Sequence, residues 1–164
     1  MKQYNYIFLD IDGVLATTMQ YYTNRKKWNS EYNRYRFDEK CVNVFNQIIE
    51  KISDLRIVLS SDWKEDYTLD ILNRIFEING VKTKIFDKTP NLWGIKYFSL
   101  QELEECRSME ILQYINEHID ICQYVAIDDL DLSTWIPDNF IITPRSNEGI
   151  KQSGIKHKIL TKFL

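Results

Sequence analysis

The sequence predicts an α/β fold: an α/β/α sandwich built around a mostly parallel sheet. Two observations carry that expectation. Short apolar runs alternate along the chain with amphipathic helical patterns, which is the signature of βαβ units. Three of the apolar runs also end in polar side chains, Asp10 with Asp12, Ser60 with Ser61, and Asp128 with Asp129. Open parallel sheets bind their ligands outside the carboxyl ends of the strands, where such tips would gather.

The elements follow in order. Tyr6 to Leu9 reads as a buried strand. Residues 16–37, ATTMQYYTNRKKWNSEYNRYRF, are polar and aromatic without clean periodicity and read as a long loop or small excursion. DEKCVNVFNQIIEKI is then an amphipathic helix, with Asp38 as its N-cap and Cys41, Val44, Phe45, Ile48, Ile49 and Ile52 on one face. RIVLSSD is a second buried strand. YTLDILNRIFEING is a helix stopped at Asn79-Gly80 by a left-handed cap. TKIFDKTP is a third strand, and NLWGIKYFSLQELEE has no clear period. RSMEILQYINEHI reads as a helix beginning at Arg107, with Ile111, Leu112 and Ile115 inward. QYVAIDD and NFIITP complete the strands, and IKHKILTKFL is helical.

Composition narrows the classes of function. A chain of 164 residues with 44% hydrophobic content supports one domain with a real core. A formal net charge of -3 argues against strong non-specific binding to nucleic acid by the chain as a whole. Cys41, Cys106 and Cys122 are odd in number and far apart, which argues against a zinc site or a disulfide framework and fits a reducing cytoplasm. No stretch approaches the roughly 18 apolar residues of a membrane span, and the N-terminal apolar run meets Asp10 too early for a signal peptide. His118 and His157 have no motif company.

The strand tips carry the chemistry. Asp10 and Asp12 stand at i and i+2, so their side chains start on one side of an extended backbone, and Gly13 lets the chain turn immediately afterwards. Four carboxylates brought to one edge repel one another unless a cation sits between them. Oxygen-only ligation selects a hard ion, Mg²⁺ before Zn²⁺. A serine hydroxyl at the neighbouring tip can donate to a phosphate oxygen, and a carboxylate beside Mg²⁺ can attack phosphorus to form an aspartyl-phosphate.

The segment DIDGVL, the IVLSS strand end, a basic residue before a helix and the VAIDD strand end resemble the four motifs of the haloacid dehalogenase-like (HAD) superfamily, in order from residue 6 to about 130. LSSDWK and NFIITPRSNEGI look further like the small HAD domains of multidomain RNA-repair proteins. The resemblance implies a Rossmann-like sheet and a phosphohydrolase. Asp10 would be the nucleophile, and Asp12 the acid to the leaving oxygen and then the base to water. Ser60 would bind the transferring phosphate. The metal set would be Asp10, position 12 through its backbone carbonyl, Asp128, and Asp129 in support. The cation of the third motif is assigned to Arg107, with Lys96 and Lys64 as rivals. Ser61 and Asp62 read as helix caps.

The same resemblance makes residues 16–37 an extended flap or minimal cap, so the site would be open enough for a nucleotide or an RNA or DNA phosphate end. Tyr21, Tyr22, Trp28, Tyr32 and Tyr35 lie there among Arg25, Lys26, Lys27, Arg34 and Arg36. Aromatic rings stack on bases while cations meet phosphates; the plainer reading is that the rings cover the core. Two rivals to hydrolysis share these residues: phosphotransfer to an alcohol, and a phosphate- or nucleic-acid-binding module without turnover.

Overall fold

The computed structural model describes residues 2–18, 36–92 and 99–163. Most of the 16–37 excursion lies outside them, including the five aromatic residues and all its cations except Arg36, and so does Lys96. Five strands form one all-parallel sheet: β1 (Tyr4–Leu9), β2 (Leu55–Leu59), β3 (Ile85–Lys88), β4 (Ile121–Asp128) and β5 (Phe140–Ile142). Their order is β3-β2-β1-β4-β5, with β1 in the centre. The helices are α1 (Glu39–Ile49), α2 (Trp63–Asp66), α3 (Leu69–Ile78), α4 (Leu100–Glu117) and α5 (Ile155–Leu160).

Strand alternation divides the core into two layers. Ile7 and Leu9 of β1, Ile57 and Leu59 of β2, and Val125 and Ile127 of β4 face one side, where they pack with Phe45 of α1, Phe76 of α3 and Ile159 of α5. Tyr6, Phe8, Val58 and Ala126 face the other side, against Ile111 and Tyr114 of α4. Strands buried on both faces explain why β1 and β2 are continuous apolar runs rather than alternating ones.

Local chemistry sets the helix ends. The Asp38 carboxylate accepts the backbone N–H groups of Lys40 and Cys41 at the start of α1, as its sequence position suggests. Gly80, at φ +78°, ends α3. The Gly80 N–H then reaches the Glu77 carbonyl and the Val81 N–H reaches the Phe76 carbonyl, the paired bonds of a Schellman cap.

One boundary differs in consequence. α4 starts at Leu100, so Arg107 stands in the middle of an 18-residue helix and not at its first turn. The Ser99 hydroxyl accepts the Glu102 N–H and donates to the Glu102 carboxylate at 3.2 Å, on the S-x-x-E spacing of a capping box. The inward face of α4 includes Cys106, Arg107, Ser108 and Glu110 before it turns apolar at Ile111, which hides its helical period. Among the described residues no helix is long and apolar enough to cross a membrane.

Candidate active site

β1, β2 and β4 are neighbours in register, with Leu9 opposite both Leu59 and Ile127. The residues that follow these positions therefore reach the same edge together. Asp10 and Asp128 continue the rows that face α4, and α4 supplies the cation that meets them. Arg107 Nη1 lies 3.3 Å from Asp10 Oδ1 and 2.9 Å from Asp128 Oδ2. The same nitrogen donates to the Ser60 carbonyl, and Nη2 donates to Asp62 Oδ1 at 2.8 Å. Arg107 is thus held by ion pairs from the middle of α4. Lys64, one of its rivals, is buried elsewhere, against Glu110, Thr89 Oγ1 and the Pro90 carbonyl.

Oxygen atoms of Asp10, Asp128 and Asp129 all lie within 4.8 Å of one another. The Asp12 carboxylate is outside that group. It projects toward solvent and accepts the Trp63 indole N–H at 2.8 Å. A cavity of about 140 Å³ opens between these groups, bordered by Asp10, Asp12, Ser61, Asp62, Arg107 and Asp129, with Leu103 and Leu130 on its lip.

Burial and crowding set the electrostatics. Burial, then the Asp128 charge, raise the Asp10 pKa well above the carboxylate range, against opposition from Arg107 and the nearby Ser61 hydroxyl. Burial lifts Asp128 to about 6, although Arg107 and the Leu130 N–H favour its charged form. Asp129 is raised by burial against Arg107. Asp12 is raised by burial despite the indole N–H. Arg107 is held charged: its burial is outweighed by Asp128, Asp10 and Asp62. One guanidinium among three clustered carboxylates leaves an excess of buried negative charge, and the donors are all oxygens. That set suits a hard divalent cation.

Gly13 makes the cluster sterically feasible. It adopts φ +72°, and a Cβ there would stand 2.2 Å from Asp129 Oδ2. The Ser60 and Ser61 hydroxyls are both buried without a well-formed hydrogen bond. A buried hydroxyl without a partner is costly in a protein interior; Ser61 borders the cavity beside Asp10, whereas Ser60 is not among the residues that line it.

Sequence reasoning missed three participants. Asp62 occupies the N-cap position of α2 yet makes no capping bond with its side chain; its carboxylate serves Arg107 instead. Trp63 was unremarked beside the serines. Thr143 follows β5, and its hydroxyl lies 3.0 Å from the Gly13 carbonyl and 3.3 Å from the Asp128 carbonyl. The signal for Thr143 was available, since it is one more polar residue at the carboxyl end of an apolar strand.

No curated protein and no solved structure matches the chain. One family model does, over residues 6–154, which takes in all five strand ends and the whole of the cavity. The chain belongs to the family of HAD domains found in Swiss Army Knife RNA repair proteins.

Proposed function

We propose that this domain is a Mg²⁺-dependent phosphomonoesterase that works through an aspartyl-phosphate on Asp10, with a nucleotide or polynucleotide phosphate end as substrate. The observation that carries the reading is the group of buried Asp10 and Asp128 with half-buried Asp129, facing Arg107 at the carboxyl edge of the sheet. The family supports phosphohydrolase chemistry and, through RNA repair, a substrate related to nucleic acid.

In this reading Asp10, Asp128, Asp129 and the backbone carbonyl of Asp12 hold the ion. Bound there, Mg²⁺ neutralises the carboxylates and draws charge from the phosphate oxygens. The Asp10 carboxylate attacks phosphorus as the ester bond breaks. Asp12 gives a proton to the departing oxygen, then takes one from the water that cleaves the acyl phosphate. Ser60, with Ser61 beside it, donates to the phosphate, and Arg107 keeps positive charge against it. A cytoplasmic setting is consistent with the three free cysteines.

The test is hydrolysis of p-nitrophenyl phosphate with Mg²⁺, with EDTA, and by Asp10→Asn. Turnover that needs the ion and vanishes in the variant, while the circular dichroism spectrum is kept, supports the reading. A variant as active as the parent overturns it.

A further inference from the structure

Asp12 presents a problem of orientation. Its carboxylate reaches toward solvent, so its two oxygens can exchange places by rotation about one bond. An acid that must deliver its proton to one leaving oxygen loses rate with each wrong orientation. Trp63 breaks that symmetry. Its Nε1–H donates to Asp12 Oδ2 at 2.8 Å. The indole is a donor only. In a neutral carboxyl the carbonyl oxygen is the better acceptor, so an indole donor on Oδ2 favours the proton of the acid form on Oδ1.

The indole is itself held. Its ring centroid lies 6.0 Å from those of Phe37 and Tyr67, and Phe37 packs edge-on against Phe76 at 5.7 Å. The Phe37 N–H is tied to Asn79 Oδ1 at 2.7 Å. On its other side the α2 turn is fastened by the neighbouring Lys64, which is bound to Glu110, Thr89 and Pro90. The donor therefore stands on a base anchored in two layers of the core, while its acceptor belongs to the loop beyond β1.

We propose that Trp63 is a positioning residue for proton transfer: it fixes the Asp12 carboxyl so that Oδ1 faces the leaving oxygen. The inference rests on the phosphatase reading. In the first step the Asp10–phosphorus bond forms, the bond from phosphorus to the ester oxygen breaks, and the Asp12 Oδ1 proton passes to that oxygen. In the second, water adds to phosphorus, its proton returns to Asp12, and the Asp10–phosphorus bond breaks. Both proton transfers use the same oriented oxygen.

The experiment compares two substrates and two readouts. Trp63→Phe keeps the ring and removes the donor. A nitrophenolate leaves without protonation, whereas an alkoxide requires it. For Trp63→Phe, kcat/KM with glycerol 3-phosphate should fall about tenfold or more while kcat/KM with p-nitrophenyl phosphate changes less than about threefold. In an Asp12→Ala background the same substitution should cause no further loss, since Trp63 would have nothing left to orient. Equal losses on both esters, or an undiminished loss without Asp12, overturn the proposal. A metal-free readout stands apart from activity: the indole N–H resonance that Trp63→Phe deletes should move upfield in Asp12→Ala, and a resonance that stays in place refutes the contact. Parent protein inactive on both esters would overturn the phosphatase reading and the leaving-group claim together, while the resonance alone would still report whether Asp12 engages the indole.

Discussion

Arg107 Nη1 stands 2.9 Å from Asp128 Oδ2, both side chains almost wholly removed from water. The pair joins the middle of α4 to the tip of β4, and the same guanidinium extends to Asp10 and Asp62. It is the only positively charged group lining the cavity among the described residues.

Removal of this cation should be costly before any question of catalysis. Arg107→Met should lower metal-free stability by about 3–5 kcal/mol, the cost of leaving buried charges unpaired. Arg107→Lys should lose less, because the charge remains but one ammonium cannot span Asp128 and Asp62 together. Urea unfolding of the three proteins checks the order. Equal stability of Arg107→Met and the parent would mean that the ion pairs contribute nothing.

Proton and metal ion should compete for the carboxylates. Asp10 and Asp128 are raised above their unfolded values of roughly 4, Asp128 to about 6. The folded state thus retains protons that the unfolded chain releases, and metal-free stability should fall as pH rises from about 4 to about 6. Mg²⁺ should reverse that loss, raising the melting temperature more at pH 7.5 than at pH 5. Asp128→Asn should abolish the Mg²⁺ increment. Thermal unfolding at the two pH values, with Mg²⁺ and with EDTA, decides the matter; an increment independent of pH contradicts it.

Gly13→Ala should cost both fold stability and ion affinity. A left-handed backbone with a side chain costs about 1–2 kcal/mol, and the added methyl would collide with Asp129 at 2.2 Å. Displacing Asp129 should weaken Mg²⁺ binding by about tenfold or more. Calorimetric titration measures this directly, and unchanged affinity would show that Asp129 is dispensable to the cluster.

The Lys64–Glu110 pair should behave as a unit. Burial lowers the Lys64 pKa although Glu110 works to raise it, so the ammonium without Glu110 would be costlier still to keep buried. Lys64→Met alone should cost about 3–5 kcal/mol, and adding Glu110→Leu should recover most of that loss. A double-mutant cycle by urea unfolding gives the coupling. Additive losses would mean that the two charges do not stabilise each other.

Much of the site was legible because strand tips obey a simple rule. Asp10, Ser60 and Asp128 each follow a continuous apolar run, and a parallel sheet in register delivers such residues to one edge. The helices α1 and α3 were legible for a similar reason: their inward faces are apolar, and Asp38 and Gly80 mark ends by chemistry that acts locally. α4 was harder. Its first turns face a charged interior, so the residues that bury Arg107 and Glu110 mimic a surface segment, and only the Ser99–Glu102 box marks the true start. Asp62 read as a cap because its position relative to α2 is that of a cap; its partner lies 45 residues away and no local pattern discloses it. The Trp63–Asp12 bond is hidden in the same way, by a separation of 51 residues. The five aromatic residues of the 16–37 excursion and Lys96 fall outside the described residues.

Thr143 lies beyond every acidic motif, yet its hydroxyl braces the carbonyls of Gly13 and Asp128 from the edge strand. A fragment cut after Asp129 would retain all the carboxylates and Arg107 but release the turn that brings Gly13 against Asp129. The shortest piece that keeps the carboxylate cluster braced therefore extends past its string of acids, and shuffling or trimming at that end will disturb the cluster from a distance.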